Sequence, residues 1–184
     1  MSKAFIATPL FDAHKTFVRL PMGPAMLNDY PDSKLFIDKI ASDIPDATQD
    51  FLYTQAFLKS YSRKSEATYR GYRNEVERLL LWSWTIANKT VITLKRLDLE
   101  AYFDFVHSPP APWVGMSVAD RFKVIDGQSR QNKNWRPFVV KIAKQDRKNA
   151  LDNGLTIPNS INGHSLSHEA VSYTHLTLPT ILLV

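Results

Sequence analysis

The alternation of apolar and polar positions is clearest over residues 65–87. Tyr69, Tyr72, Val76, Leu79, Ser83 and Ile86 recur at steps of three and four residues, the repeat of a helix with one face turned inward. Leu80, Trp82 and Trp84 widen that stripe, and Arg70, Arg73, Asn74, Glu77 and Arg78 fall mostly outside it. Ser65 is placed to cap the helix, because its hydroxyl can accept a first-turn N–H, and Glu66 suits the positive end of the helix dipole. Asn88-Lys89 can end it. A second helix is predicted over residues 96–107, where Leu99, Tyr102, Phe103 and Val106 share a face and Asp98 and Glu100 stand near the start. The run Ser108-Pro109-Pro110-Ala111-Pro112 stops it, since proline cannot continue the hydrogen-bond ladder. Residues 49–61 form a further helical pattern through Leu52, Tyr53, Ala56, Phe57 and Tyr61.

The remainder is less patterned. Residues 1–48 hold Pro9, Pro21, Pro24, Pro31 and Pro45 among short apolar runs, which predicts a loosely structured leader with at most a helical turn or two around 34–42. Residues 108–165 lack clear periodicity and read as a long irregular insertion, with Trp113, Trp135, a basic run and the turn-like Asp152-Asn153-Gly154 and Asn162-Gly163. Residues 165–170 read as a new helix beginning at a Ser165 cap. The expectation is an all-α chain: a leader at 1–48, a helical domain at 49–170 and a distinct tail at 171–184.

That tail, Val-Ser-Tyr-Thr-His-Leu-Thr-Leu-Pro-Thr followed by Ile-Leu-Leu-Val, has an unusual reading. One choice of codons for residues 171–180, GTC TCT TAT ACA CAT CTG ACG CTG CCG ACG, resembles a transposon-type sequencing-library adapter translated in frame. A variable index accounts for the next three codons, and the constant sequence beyond it supplies Val184 and a stop. Residues 171–184 are therefore expected to be an assembly artefact and are set aside from the fold, as a fusion scar would be. The natural protein is then expected to continue beyond Ala170 with other residues. The other reading is an apolar C-terminal strand over 176–184, and the nucleotide sequence decides between them.

Composition narrows the class. Of 184 residues, 44% are hydrophobic and 22% charged, close to soluble globular averages, so the chain is not wholly disordered. No run of about 18 apolar residues is present to span a membrane, and charges interrupt the first twenty residues where a secretory signal would be continuous. The absence of cysteine excludes disulfides, thiolate metal sites and cysteine nucleophiles, and it fits a cytoplasmic setting. With Gly at 6, no glycine-rich phosphate loop is present.

The net charge of +5 conceals alternation. Residues 59–96 carry 9 basic and 3 acidic groups, and residues 121–148 carry 9 and 2, whereas the stretches between and around them are net acidic. Clustered cations are the electrostatic footprint of a polyanionic partner, although two solvated faces of a basic protein would read alike. His164 and His168 stand four apart, the spacing of a two-ligand metal face, but with only Glu169 nearby as a third ligand they read better as exposed histidines, and no metal or other cofactor is called for. Trp82 and Trp84 could stack on bases, and within an apolar stripe they read better as core. The most suggestive segment is 63–78. Arg63, Lys64, Arg70, Arg73 and Arg78 sit at and beyond the start of one helix, and a helix N-terminus suits phosphate.

From residue 51 onward the chain resembles the N-terminal core-binding region of the tyrosine recombinases, the phage-integrase family. The resemblance rests on Ser65-Glu66-Ala67-Thr68-Tyr69-Arg70-Gly71-Tyr72-Arg73, continuing to Trp82, and on Leu94-Lys95-Arg96-Leu97-Asp98-Leu99-Glu100-Ala101-Tyr102-Phe103. Trp113-Val114-Gly115, Asn134-Trp135-Arg136-Pro137-Phe138 and Ser165-Leu166-Ser167-His168-Glu169-Ala170 complete it. Lys95 departs from the pattern, which usually has a serine or threonine cap there and so puts the start of that helix in question. The resemblance implies a small SAM-like helical bundle that clamps one side of double-stranded DNA, from a parent that self-associates on DNA in the bacterial cytoplasm, at the nucleoid. In the family the catalytic domain follows this region and supplies the nucleophilic tyrosine. Tyr69, Tyr72 and Tyr102 match core positions instead, so this chain by itself is expected not to be an enzyme. The expected DNA contacts are Arg63, Lys64, Thr68, Arg70 and Arg73, followed by Lys133, Arg136, Lys141 and Lys144. The competing expectation is a helical protein-interaction module whose basic blocks meet an acidic partner.

Overall fold

Among the described residues the longest element is α4 (Glu66–Trp82). Ser65 caps it as its position predicts: its Oγ accepts the N–H of Thr68 at 3.0 Å. The helix widens after Trp82 into a π-turn, Ser83–Ala87, and ends at Asn88, which takes the left-handed conformation with φ 52°. This is a computed structural model, and it describes residues 7–115 and 117–139. The readings made for 165–170, for His164 and His168, and for the tail lie outside the described residues.

Besides α4, four further α-helices lie among the described residues. α2 (Pro31–Asp43) and α3 (Ala47–Tyr61) precede it, and α5 (Arg96–His107) follows, after a short α1 (His14–Phe17) near the start of the chain. α5 begins without a hydroxyl cap. Asp98 supplies the missing partner, its Oδ2 accepting the N–H of Lys95 at 2.8 Å, while Lys89 Nζ bonds Oδ1 at 2.7 Å. Those bonds, Lys89 first, hold the Asp98 carboxyl below its ordinary range. α3 is fastened to the far end of α4 through Asp50, whose Oδ2 accepts both Trp84 Nε1 at 3.0 Å and Val91 N–H at 2.8 Å.

The all-α expectation holds in outline, with two small additions. β2 (Phe122–Ile125) and β3 (Gln128–Gln131) form an antiparallel hairpin, Phe122 opposite Gln131 and Ile125 opposite Gln128. Its turn is Asp126-Gly127 with φ 50° and 75°, both positive, the requirement of a primed hairpin turn and the reason glycine is needed there. β1 (Val114–Gly115) pairs in parallel with β4 (Phe138–Val139). The segment expected to be an irregular insertion is thus partly ordered by these two pairings.

The larger correction concerns the leader. Residues 7–48 are not loosely structured: α1, a 3₁₀ segment Pro24–Asp29 and the thirteen-residue α2 all lie there. Pro31 does not disrupt α2, because it occupies the first turn, where its missing N–H has no intrahelical partner to lose. Ala7, Leu10, Phe11, Phe17, Met26 and Ile37 join Val76, Leu79, Leu80, Tyr102 and Trp113 in one continuous apolar core. No boundary at residue 48 divides that core. Phe11 stacks on Phe51 at 5.2 Å between ring centres, and Phe17 leans on Tyr69 at 4.9 Å. Three residues assigned to apolar stripes face out instead: Tyr53 is 59% exposed, Ile86 is 52% exposed, and Ala56 is exposed as well.

Candidate nucleic-acid interface

The two ends of α4 handle charge differently. At its start, Arg63, Lys64 and Arg70 are exposed, and none makes an ion pair with a described residue. Lys64 lies over the Tyr61 ring at 5.0 Å, which steadies the aliphatic stem and leaves the ammonium facing outward. Thr68 is half-buried, and its hydroxyl is 2.8 Å from Ser65 Oγ, so the two hydroxyls share one hydrogen bond inside the cap. Lys59, one turn before Arg63 on α3, is turned inward. Its Nζ donates to the carbonyls of Phe17, Val18 and Leu20 at 3.2, 2.9 and 3.0 Å, closing the end of α1.

Arg73 does not belong to this surface. It was expected beside Arg70 as a DNA contact, but it is only 8% exposed. At about 100° per residue, Arg73 lies about 60° around the helix from Arg70 and about 40° from Tyr69, so the edge of the core passes between the two arginines. The leader pulls it inward. Residues 10–12 run along α4 and present backbone groups that an apolar stripe could not satisfy. The Asp12 carbonyl accepts Tyr69 Oη and Arg73 Nη1, each at 2.9 Å. One turn on, Glu77 Oε1 accepts the N–H groups of Leu10 at 2.7 Å and Phe11 at 3.3 Å. Desolvation, reinforced by the nearby Arg121, pushes the Arg73 pKa down to about 10.

Glu77 was also placed outside the stripe, and it is almost wholly buried at 1% exposure. Its second oxygen pairs with Arg121, whose guanidinium also donates to Asn74 Oδ1 at 2.8 Å and lies 4.8 Å from the Trp135 ring. Leader, α4 and the root of the hairpin are joined through this one carboxylate. Arg78 is likewise internal: it bonds Glu75 at 2.7 Å and the Pro137 carbonyl at 2.9 Å, and it covers the Phe138 ring at 4.5 Å.

The second basic block is also divided. Arg121 is committed to Glu77, and Arg130 contacts Asp32 at 3.1 Å. Lys133 is exposed, and Arg136 donates from Nη1 to the carbonyls of Lys133 and Trp135, both at 2.7 Å, bracing the loop that follows β3. Lys141 and Lys144 lie outside the described residues. Lys123, on the hairpin, is exposed and was not among the expected contacts. The signal for it was present in the sequence, since Asp126-Gly127 between Val124-Ile125 and Gln128-Ser129 is a hairpin dipeptide.

The phenols of this region are set in the core. Tyr69 and Tyr102 have 0% exposure, and burial raises the pKa of each above its ordinary value. Among the described residues no group of three or more acidic or histidine side chains is arranged to hold a metal ion, and no helix is long and apolar enough to cross a membrane. The surface therefore offers cations and hydroxyls on a rigid helix end, a chemistry suited to phosphate groups. Comparison with known protein families, with curated proteins and with solved structures found no match for this chain.

Proposed function

We propose that this chain binds double-stranded DNA, as the core-binding region of a site-specific tyrosine recombinase would, and that it contributes binding rather than phosphodiester chemistry to DNA integration and recombination. The observation that carries the proposal is the sorting of cations around α4. Arg73 and Arg78 serve the interior, and Lys89 and Arg96 pair with acidic neighbours, whereas Arg63, Lys64 and Arg70, at the start of one capped helix, make no ion pair with a described residue. Keeping three cations together and unneutralised costs repulsion that a polyanion relieves. Contacts of this kind go mainly to phosphate oxygens, so binding is salt-dependent and only weakly sequence-selective.

The test is a salt titration of duplex binding by the chain and by its Arg63→Ala/Lys64→Ala/Arg70→Ala variant. Each phosphate contact removed flattens the log–log slope by about 0.9, so a loss of up to about 2.7 is expected. Equal slopes and affinities for the two proteins would show that this helix start faces solvent. The competing reading, a module for an acidic protein partner, draws support from the exposed Ile92 and Leu97, at 65% and 76%, beside the cations Lys95 and Arg96. Duplex DNA should displace a partner held on the Arg63–Arg70 surface and leave one held at Leu97 in place.

A further inference from the structure

The β2–β3 hairpin is fixed firmly at its root and stands clear at its tip. Side chains directly opposite one another across an antiparallel pair share a face, so Phe122, Val124, Ser129 and Gln131 form one face and Lys123, Ile125, Gln128 and Arg130 the other. The first face is anchored near the root: Phe122 packs on Tyr30 at 4.8 Å, and Gln131 donates from its side-chain amide to the Ala7 carbonyl and from its backbone N–H to Asp32 Oδ2, each at 2.8 Å. Toward the turn the contacts stop. Every residue from 123 to 128 is exposed, including Val124 at 78% and Ile125 at 52%. On the outer face Lys123 stands directly opposite Arg130, a like-charge cross-strand pair that ordinarily costs stability. Asp32 holds only part of the Arg130 guanidinium, whose side chain remains 41% exposed, and nothing among the described residues pairs with Lys123.

We propose that this hairpin is a second DNA contact, a two-stranded ribbon that enters the major groove. The inference rests on the DNA-binding reading and adds an element to it. A two-stranded ribbon has the width the major groove admits. Lys123 and Arg130 meet the phosphates that line the groove, Gln128 brings an amide to base edges, and Ile125, on the same face, offers apolar surface to thymine methyl groups. Exposed β-branched side chains and facing cations, both unfavourable in water, become useful together against this one surface. Lys133 and Arg136, in the loop that leaves β3, extend the same contact along the backbone.

The experiment uses the whole chain bound at saturation to a mixed-sequence duplex, with guanine N7 methylation by dimethyl sulfate as the readout of major-groove occupancy. The unaltered chain should lower guanine methylation along the bound duplex. Lys123→Ala/Gln128→Ala should lose that protection and flatten the salt slope by about 0.9, and Lys123→Arg should restore the slope. The Arg63→Ala/Lys64→Ala/Arg70→Ala variant should bind more weakly yet keep the protection once saturated. Unchanged protection and slope in the hairpin variant, or a bound chain that protects no guanine, would overturn the ribbon and leave the DNA-binding reading intact. A chain that binds no duplex but retains an acidic protein would overturn both. Thermal unfolding of each variant separates lost contact from lost fold, and Lys123 and Gln128, both exposed, should leave it unchanged.

Discussion

Arg70 and Arg73 are the same residue type, three positions apart on one helix, and they have opposite fates. Arg70 is exposed and has no ion-pair partner among the described residues, and Arg73 is enclosed against the Tyr69 ring with a hydrogen bond to the Asp12 carbonyl. The difference is not local, because helix geometry alone treats both as margin positions. It comes from a strand of backbone supplied sixty residues earlier, whose carbonyl and N–H groups require polar partners on the facing side of α4. An arginine can therefore be a component of the core and its neighbour a component of the surface, with the sequence between them unchanged.

The strongest way to break this comparison is to remove the carboxylate at its centre. Glu77→Ala leaves the Leu10 and Phe11 N–H groups and the nearly buried Arg121 without their acceptor, and it should cost about 3–5 kcal/mol in chemical unfolding. A cost comparable to a surface substitution would mean that the leader does not seat on α4. Arg73→Ala is expected to follow at about 1–3 kcal/mol, since it leaves the Asp12 carbonyl with one donor, Tyr69, in place of two. Arg70→Ala should cost under about 0.5 kcal/mol, while weakening duplex binding more than Arg73→Ala does in any variant that folds. If unfolding ranked Arg70 above Arg73, α4 would be rotated from the arrangement described.

Asp50 sharpens the contrast through pH. Burial raises its pKa above the ordinary carboxylate value, with the Trp84 and Val91 hydrogen bonds opposing that rise only in part. The folded chain therefore holds this proton more tightly than the unfolded chain. The resulting stability is fully present below the unfolded pKa and is lost as pH rises through the folded value. Asp50→Asn keeps an oxygen that can accept both bonds and removes the titration. On acidification from about pH 7 to about pH 4, the wild type should gain stability relative to Asp50→Asn. A gap that stays constant across that range would assign Asp50 an ordinary pKa.

What could be read from the sequence follows from how local the determinants are. The Ser65 cap, the Asn88 stop and the Pro109-Pro110 terminator act within a few residues, and α4 and α5 lie where those signals place them. The leader's order could not be read in this way. Its prolines were counted as breakers, but Pro31 opens a helix, and the N–H groups of Leu10 and Phe11 find their acceptor, Glu77, more than sixty residues downstream. The same holds for the candidate interface. Arg63, Lys64 and Arg70 were legible as exposed because no distant group among the described residues competes for them. Arg73 was not, because its partner is a carbonyl, which leaves no trace in residue type. Lys123 was overlooked although Asp126-Gly127 is a purely local signal.

The hydrogen bond between Gln131 and the Ala7 carbonyl spans 124 positions of the chain. On a ribosome adding about 5–20 residues each second, Ala7 is made on the order of ten seconds before the residue that will hold it. For much of that interval the Ala7 carbonyl and Asp32 lack the strand residue that both of them bond. The order of synthesis thus runs against the order of assembly: the first segment made is among the last to be locked, and its apolar side chains are the ones a holding chaperone would meet first.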